Sequence, residues 1–133
     1  MSSLLTEHVV NEDNPHWRDF YCHYQQFIDI IEIRHNRKLA VLNIACQDKD
    51  APYAFFVHGA CARMAQFEGL IQNLSNKFNI IAFDRIGCGY SHKPKEYISY
   101  NDTNIFIDLC LLFSKCKLLN DDPDVLMSWS KKI

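Results

Sequence analysis

Two short apolar runs separated by one helical pattern constrain the fold of this chain more than any other feature of its sequence. Residues 53–57 (YAFFV) and 79–83 (NIIAF) are almost continuously apolar, which is typical of strands buried on both faces. Between them, one helix face is marked by apolar side chains at helical spacing, namely Phe67, Leu70, Ile71, Leu74 and Phe78. A strand, a helix and a strand in this order predict a crossover unit with a parallel sheet.

A hairpin is predicted before this unit. Residues 27–33 (FIDIIEI) and 39–45 (LAVLNIA) are rich in β-branched and aliphatic side chains, and the polar segment 35–38 suits a short turn between them.

A second helix is predicted after residue 83. Asn101, Asp102 or Thr103 is available as its N-cap. Its apolar stripe consists of Ile105, Leu109, Leu112, Phe113 and Cys116. The sequence therefore predicts an α/β fold, with a β-hairpin followed by strand, helix, strand and helix.

Length and charge exclude several classes of function. The chain has 133 residues, a length that suits one small domain or part of a larger one. With 16 acidic and 14 basic side chains its net charge is −2, so it has no excess of positive charge that would indicate binding to nucleic acid or to an anionic membrane. The acidic N-terminus does not have the pattern of a signal peptide, and Asp108 interrupts the longest apolar stretch. We therefore expect a soluble cytoplasmic protein whose six cysteines are reduced.

Two motifs stand at the ends of the two apolar strands. His58-Gly59 follows the first strand, and residues 84–91 (DRIGCGYS) follow the second. Together, in this order and with one amphipathic helix between them, they resemble the N-terminal half of the α/β-hydrolase fold, over roughly residues 24–130.

The resemblance implies a role for the first motif. In this family the backbone N–H just after the HG pair helps to hold a developing oxyanion, so the donor here is the amide of Ala60. By the same resemblance, His58 braces the loop and is not the catalytic base. The alternative interpretation is a plain strand-ending turn in which Gly59 adopts an unusual φ.

The second motif is interpreted as structural. The resemblance implies that Asp84 caps the loop and that Gly87 and Gly89 permit its tight path. Because the third glycine of a dinucleotide fingerprint is missing and no helix follows directly, no nucleotide cofactor is predicted.

The catalytic nucleophile is the weak point of the resemblance. No serine has the flanking glycines of G-x-S-x-G, but residues 124–132 are laid out like a fifth strand and its elbow, with Ser130 in the position of the nucleophile. Ser128 and Lys132 occupy the two glycine positions. Since neither an acid nor a histidine follows Ser130 in this sequence, the Ser, acid, His order of the triad is incomplete.

We therefore expect an N-terminal extension over residues 1–23 and a partial hydrolase domain over residues 24–133, truncated at the elbow. Complete relatives are implied to hydrolyse or transfer acyl groups at small-molecule ester or lipid substrates, whereas this chain alone is expected to be inactive. The alternative is a noncatalytic binding or regulatory module that pairs with a partner chain. In both cases an unpaired sheet edge predicts self-association.

A zinc site is a further alternative. His58 and Cys61 follow one strand and Cys88 and His92 follow its predicted neighbour, so four soft ligands converge in principle. The spacing is nonstandard, and the main prediction assigns no metal or other cofactor.

Overall fold

The structure, a computed structural model, describes residues 12–120, with side chains to residue 116. It contains four strands and three α-helices over this range, which are, in chain order, α1 (Pro15–His23), β1 (Ile28–Arg34), β2 (Arg37–Ile44), β3 (Tyr53–Phe56), α2 (Glu68–Leu74), β4 (Asn79–Phe83) and α3 (Asp102–Asn120). Short 3₁₀ turns over Gln25–Phe27, Met64–Phe67 and Tyr97–Tyr100 precede β1, α2 and α3. The predicted α/β fold is confirmed.

The strands form one mixed sheet in the order β1-β2-β4-β3. The β1–β2 hairpin is antiparallel, β2 is antiparallel to β4, and β3 is parallel to β4 with Phe55 opposite Ile81. All five residues of β4 are buried, as expected for a central strand covered on both faces. The carboxyl ends of β3 and β4, where the two motifs begin, therefore lie at the same edge of the sheet.

An apolar cluster covers each face of the sheet. On one face, Phe20 and Tyr21 of α1 and Ile71 of α2 pack with alternate strand residues. On the other face, Leu112 and Cys116 of α3 pack against the remaining strand residues. Because side chains alternate along a strand, both faces of the sheet need a helical cover.

The first helix was not foreseen. Asn14 caps α1, since its side-chain oxygen accepts from the N–H groups of His16 and Trp17, and Pro15 occupies the first turn. The sequence assigns residues 1–23 to an extension before the domain. In the structure, α1 contributes to the same core as the sheet.

The second helix is shorter than its apolar stripe predicted. It ends at Leu74, whose carbonyl oxygen accepts from the N–H groups of Lys77 and Phe78 and so draws the chain into a turn. Phe78 therefore packs on the core from outside the helix, while Leu70, which was predicted to be buried, is 51% exposed. Within residues 12–120 no helix is both long and apolar enough to cross a membrane.

Candidate functional site

The loops after β3 and β4 are joined through His58. The backbone N–H of Arg85 donates to His58 Nε2 at 2.9 Å, and the guanidinium of Arg85 donates to the His58 carbonyl oxygen at 3.3 Å. On its other side, His58 Nδ1 lies 2.7 Å from the carbonyl oxygen of Gly59. Since a carbonyl oxygen only accepts and an amide N–H only donates, Nδ1 carries the proton and Nε2 does not.

This arrangement fixes the charge of His58. The side chain is 1% exposed, and burial lowers the pKa of its imidazole below the ordinary value. Protonation at Nε2 would also break the hydrogen bond from Arg85. His58 is therefore placed as a neutral brace between two loops, and neither ring nitrogen is available as a general base.

The brace predicts a pH dependence that can be measured. Because the pKa of His58 is lower in the folded than in the unfolded chain, the folded state binds fewer protons, and stability falls as pH drops below the unfolded value of about 6.5. The contribution is at most about 1.4 kcal/mol per pH unit. In His58→Gln, whose amide oxygen accepts from Arg85 without titrating, urea unfolding is expected to show a smaller loss of stability between neutral and mildly acidic pH. An equal loss in both proteins would contradict this assignment.

Asp84 organises the turn that follows β4. Its carboxylate accepts from the Tyr21 hydroxyl at 2.7 Å and from the N–H groups of Met64 and Tyr90 at 2.8 and 3.1 Å. Burial raises the pKa of the Asp84 carboxyl, and these three hydrogen bonds oppose that increase. Through these hydrogen bonds Asp84 holds its own turn, the loop after β3 and helix α1 together.

Ser91 links the same turn to the sheet. Its hydroxyl donates to the Asp84 carbonyl oxygen at 2.5 Å and accepts from the N–H of Ala40 in β2 at 2.9 Å. The serine that ends the second motif is therefore a structural link and is buried.

The glycines of the two motifs differ in their backbone conformation. Gly87 and Gly89 have φ values of +82° and +52°, in the left-handed region where glycine is favoured. Gly59 has no positive φ, so the unusual torsion that the plain-turn interpretation expected is not there. It lies instead at Cys61, with φ +60°. An added Cβ on Gly59 would meet only open space.

Ala60 lies on the exposed side of this turn. Among residues 12–120 no acceptor binds its N–H, whereas the next amide, that of Cys61, donates to the sulfur of Cys88. The amide of Ala60 therefore lies on an exposed, braced loop, beside the open space at Gly59.

Residues N-terminal to the segment that resembles the hydrolase family also help to hold the loop after β3. The guanidinium of Arg63 lies 4.0 Å from the ring centroid of Trp17 and donates to Glu12 at 3.1 Å, and the Tyr90 hydroxyl donates to the same Glu12 oxygen at 2.8 Å. The desolvated guanidinium gains both an ion pair and a ring contact. Sequence reasoning missed these residues because each pair is far apart in the chain, and only the Asn-Pro start of α1 could have indicated a helix there.

The predicted zinc alternative is wrong. His58 uses both ring nitrogens within the protein, and His92 Nδ1 donates to the Asn36 carbonyl oxygen at 2.6 Å. Within the described part of the chain, no three histidine, cysteine, aspartate or glutamate side chains converge as metal ligands.

The predicted nucleophile lies outside the described residues, as do the predicted fifth strand and elbow over residues 124–132. Hydrogen bonds of His58 and Asp84 join the loops after β3 and β4, the first of which carries Ala60, and Ser130 stays a sequence-based prediction.

Comparisons with known proteins agree with the fold. A family model described as alpha/beta hydrolase fold matches residues 55–127. A solved structure described as novel epoxide hydrolases of the alpha/beta hydrolase superfamily, from metagenomes of hot environments, is similar with 26% identity and a TM-score of 0.60 over 67% of this chain and 29% of that one. E-2-(acetamidomethylene)succinate hydrolase is similar with 28% identity and a TM-score of 0.56 over 66% of this chain and 30% of that one.

A third structure supports the fold alone. MGS-M2, an alpha/beta hydrolase from a deep-sea metagenome library of the Medee basin, has 17% identity and a TM-score of 0.57 over 66% of this chain and 31% of that one. No curated protein matched. The chain thus spans about a third or less of the length of these structures.

Proposed function

Because this chain belongs to the α/β-hydrolase fold family, we propose that the loop after β3 supplies the oxyanion side of a hydrolase site, with the amide of Ala60 as donor. The observation that carries the proposal is the exposed Ala60 N–H, which has no acceptor among residues 12–120, on a loop braced by His58 and Asp84. A donor fixed before the reaction stabilises developing charge without reorganisation. The reaction class is hydrolysis or acyl transfer at an ester-like carbonyl, including that of a lipid.

The proposal extends to what these 133 residues do on their own. Ser130 has neither an acid nor a histidine after it in this sequence, and Lys132 stands where the family's elbow has a glycine. A serine without a base keeps the weak nucleophilicity of an ordinary alcohol, and loss of the base and its orienting acid costs several orders of magnitude in rate. We therefore propose that a complete site needs catalytic groups from outside these residues.

A serine-reactive fluorophosphonate tests this proposal. The 133-residue chain is expected to show no labelling above that of its Ser130→Ala variant, measured by intact mass after prolonged incubation. Ser99→Ala, which changes a serine in the turn before α3, serves as the matched control for nonspecific labelling. Labelling that disappears only in Ser130→Ala would contradict the proposed inactivity.

One observation favours the second candidate, a noncatalytic module that pairs with a partner chain. In the described sheet β3 is an end strand, and Val57 just beyond it is 45% exposed. An apolar end strand favours pairing with a further strand, from this chain or another. Self-association through this edge stays a prediction.

A further inference from the structure

A polar cleft opens beside the β1–β2 turn, on the side of the sheet away from β3. Its volume is about 660 Å³, and its walls come from the turn, from the loop after β4 and from the start of α3. Neither His58 nor Ala60 lines it. The side chains that matter for its chemistry are His35, Arg37, His92, Lys93, Lys95 and Glu96.

Hydrogen bonds between the walls hold the cleft in shape. The N–H of His92 donates to the Lys38 carbonyl oxygen at 2.8 Å, and His92 Nδ1 donates to that of Asn36 at 2.6 Å. Next to the cleft, Arg34 Nη2 donates to the Asn104 side-chain oxygen at 2.8 Å, which joins the hairpin to α3. The walls of the cleft are therefore held together without a ligand, which lowers the entropic cost of binding.

The cleft carries a positive charge on a chain whose net charge is negative. Four permanently positive side chains line or adjoin the cleft, namely Arg34, Arg37, Lys93 and Lys95. They are opposed by two carboxylates, those of Asp108 and Glu96. The carboxylate of Asp108 is shared by both arginines. The side chains of His35 and Lys95 are exposed and have no hydrogen bond or ion pair within the described chain, whereas Lys93 Nζ donates to the carbonyl oxygens of Gly89 and Ser91.

We propose that this cleft binds the phosphate monoester group of a small molecule or lipid headgroup. A phosphate monoester carries a charge of about −1.5 to −2 at neutral pH, which matches the excess of two cations. Its three terminal oxygens can accept from donors on different walls at once. The volume is within the range of small-molecule sites and leaves room for the group that the phosphate esterifies.

The full chain is titrated with glycerol 3-phosphate at constant ionic strength, and binding is monitored by the amide chemical shifts in NMR spectra. The shift changes are expected to reach saturation and to be confined to residues 35–37 and 92–99. Vesicles of phosphatidylcholine with phosphatidic acid form the second arm, read by co-sedimentation. Binding of glycerol 3-phosphate indicates a soluble ligand, and binding of the vesicles alone indicates a headgroup. Absence of both overturns the proposal.

Variants separate a specific site from general charge attraction. The double variant His35→Gln/Lys95→Gln changes two exposed side chains and is expected to weaken binding about tenfold, as loss of charge-assisted hydrogen bonds does. Lys49→Gln removes the same charge as Lys95→Gln from an exposed loop at the opposite edge of the sheet, and is expected to leave the affinity unchanged. Equal weakening by Lys49→Gln and Lys95→Gln also overturns the proposal.

Discussion

Replacing Gly89 with alanine is expected to lower the free energy of unfolding by about 2–5 kcal/mol, one of the two largest effects in this chain. The residue has φ +52°, and an added Cβ would overlap the carboxylate of Asp84. That carboxylate cannot move aside, because three donors on α1, on the loop after β3 and on its own turn hold it. The variant therefore combines backbone strain with overpacking at a buried polar group.

Two other glycines provide matched controls in the same urea unfolding series. In Gly69→Ala, at the start of α2, the new Cβ meets open space, so stability should rise by up to about 1 kcal/mol from helix propensity. In Gly87→Ala, with φ +82°, the Cβ meets the ring of Tyr100, which is 37% exposed and held by a single hydrogen bond from its hydroxyl to the Pro94 carbonyl oxygen, so an intermediate loss is expected. If Gly89→Ala unfolded at the same urea concentration as Gly69→Ala, the role assigned to Asp84 would be wrong.

The contrast between these glycines shows how far a sequence can predict this site. The motif at residues 84–91 was enough to predict that Gly87 and Gly89 shape the turn, because positive φ is a local property of a short segment. The partners of Asp84 were not predictable in this way. Tyr21 lies 63 positions earlier in the chain and reaches Asp84 only because α1 packs on the sheet.

The fold was predictable from the sequence where it depends on the periodic spacing of apolar residues within a short segment. The hairpin and the parallel pair of β3 with β4 follow from apolar runs of strand length. Leu70 was misplaced because its spacing fits the apolar stripe, whereas within the helix it is Ile71 that is buried and Leu70 that is exposed. Helix ends depend on hydrogen bonds that the apolar spacing does not encode.

The second large loss of stability is expected on substitution of Asp108. Like the partners of Asp84, the partners of this charged residue could not be predicted from the sequence. In the sequence it only interrupts an apolar stretch of α3. In the structure it is 3% exposed and accepts from Arg37 at 2.8 and 2.5 Å and from Arg34 at 3.3 Å. Asp108→Asn keeps the size but removes the charge, which leaves the buried Arg37 without a counterion and is expected to cost about 3–5 kcal/mol.

Asp102→Asn, on the exposed first turn of the same helix, is the matched control and should cost at most about 1 kcal/mol through the helix dipole. A second variant distinguishes a buried charge from simple loss of packing. Because replacing both members of a buried ion pair with apolar residues is often nearly neutral, Arg37→Met/Asp108→Leu should unfold at a higher urea concentration than Asp108→Asn. If the double variant were the less stable of the two, the cost of Asp108→Asn would come from lost contacts between the hairpin and α3 and not from an uncompensated charge.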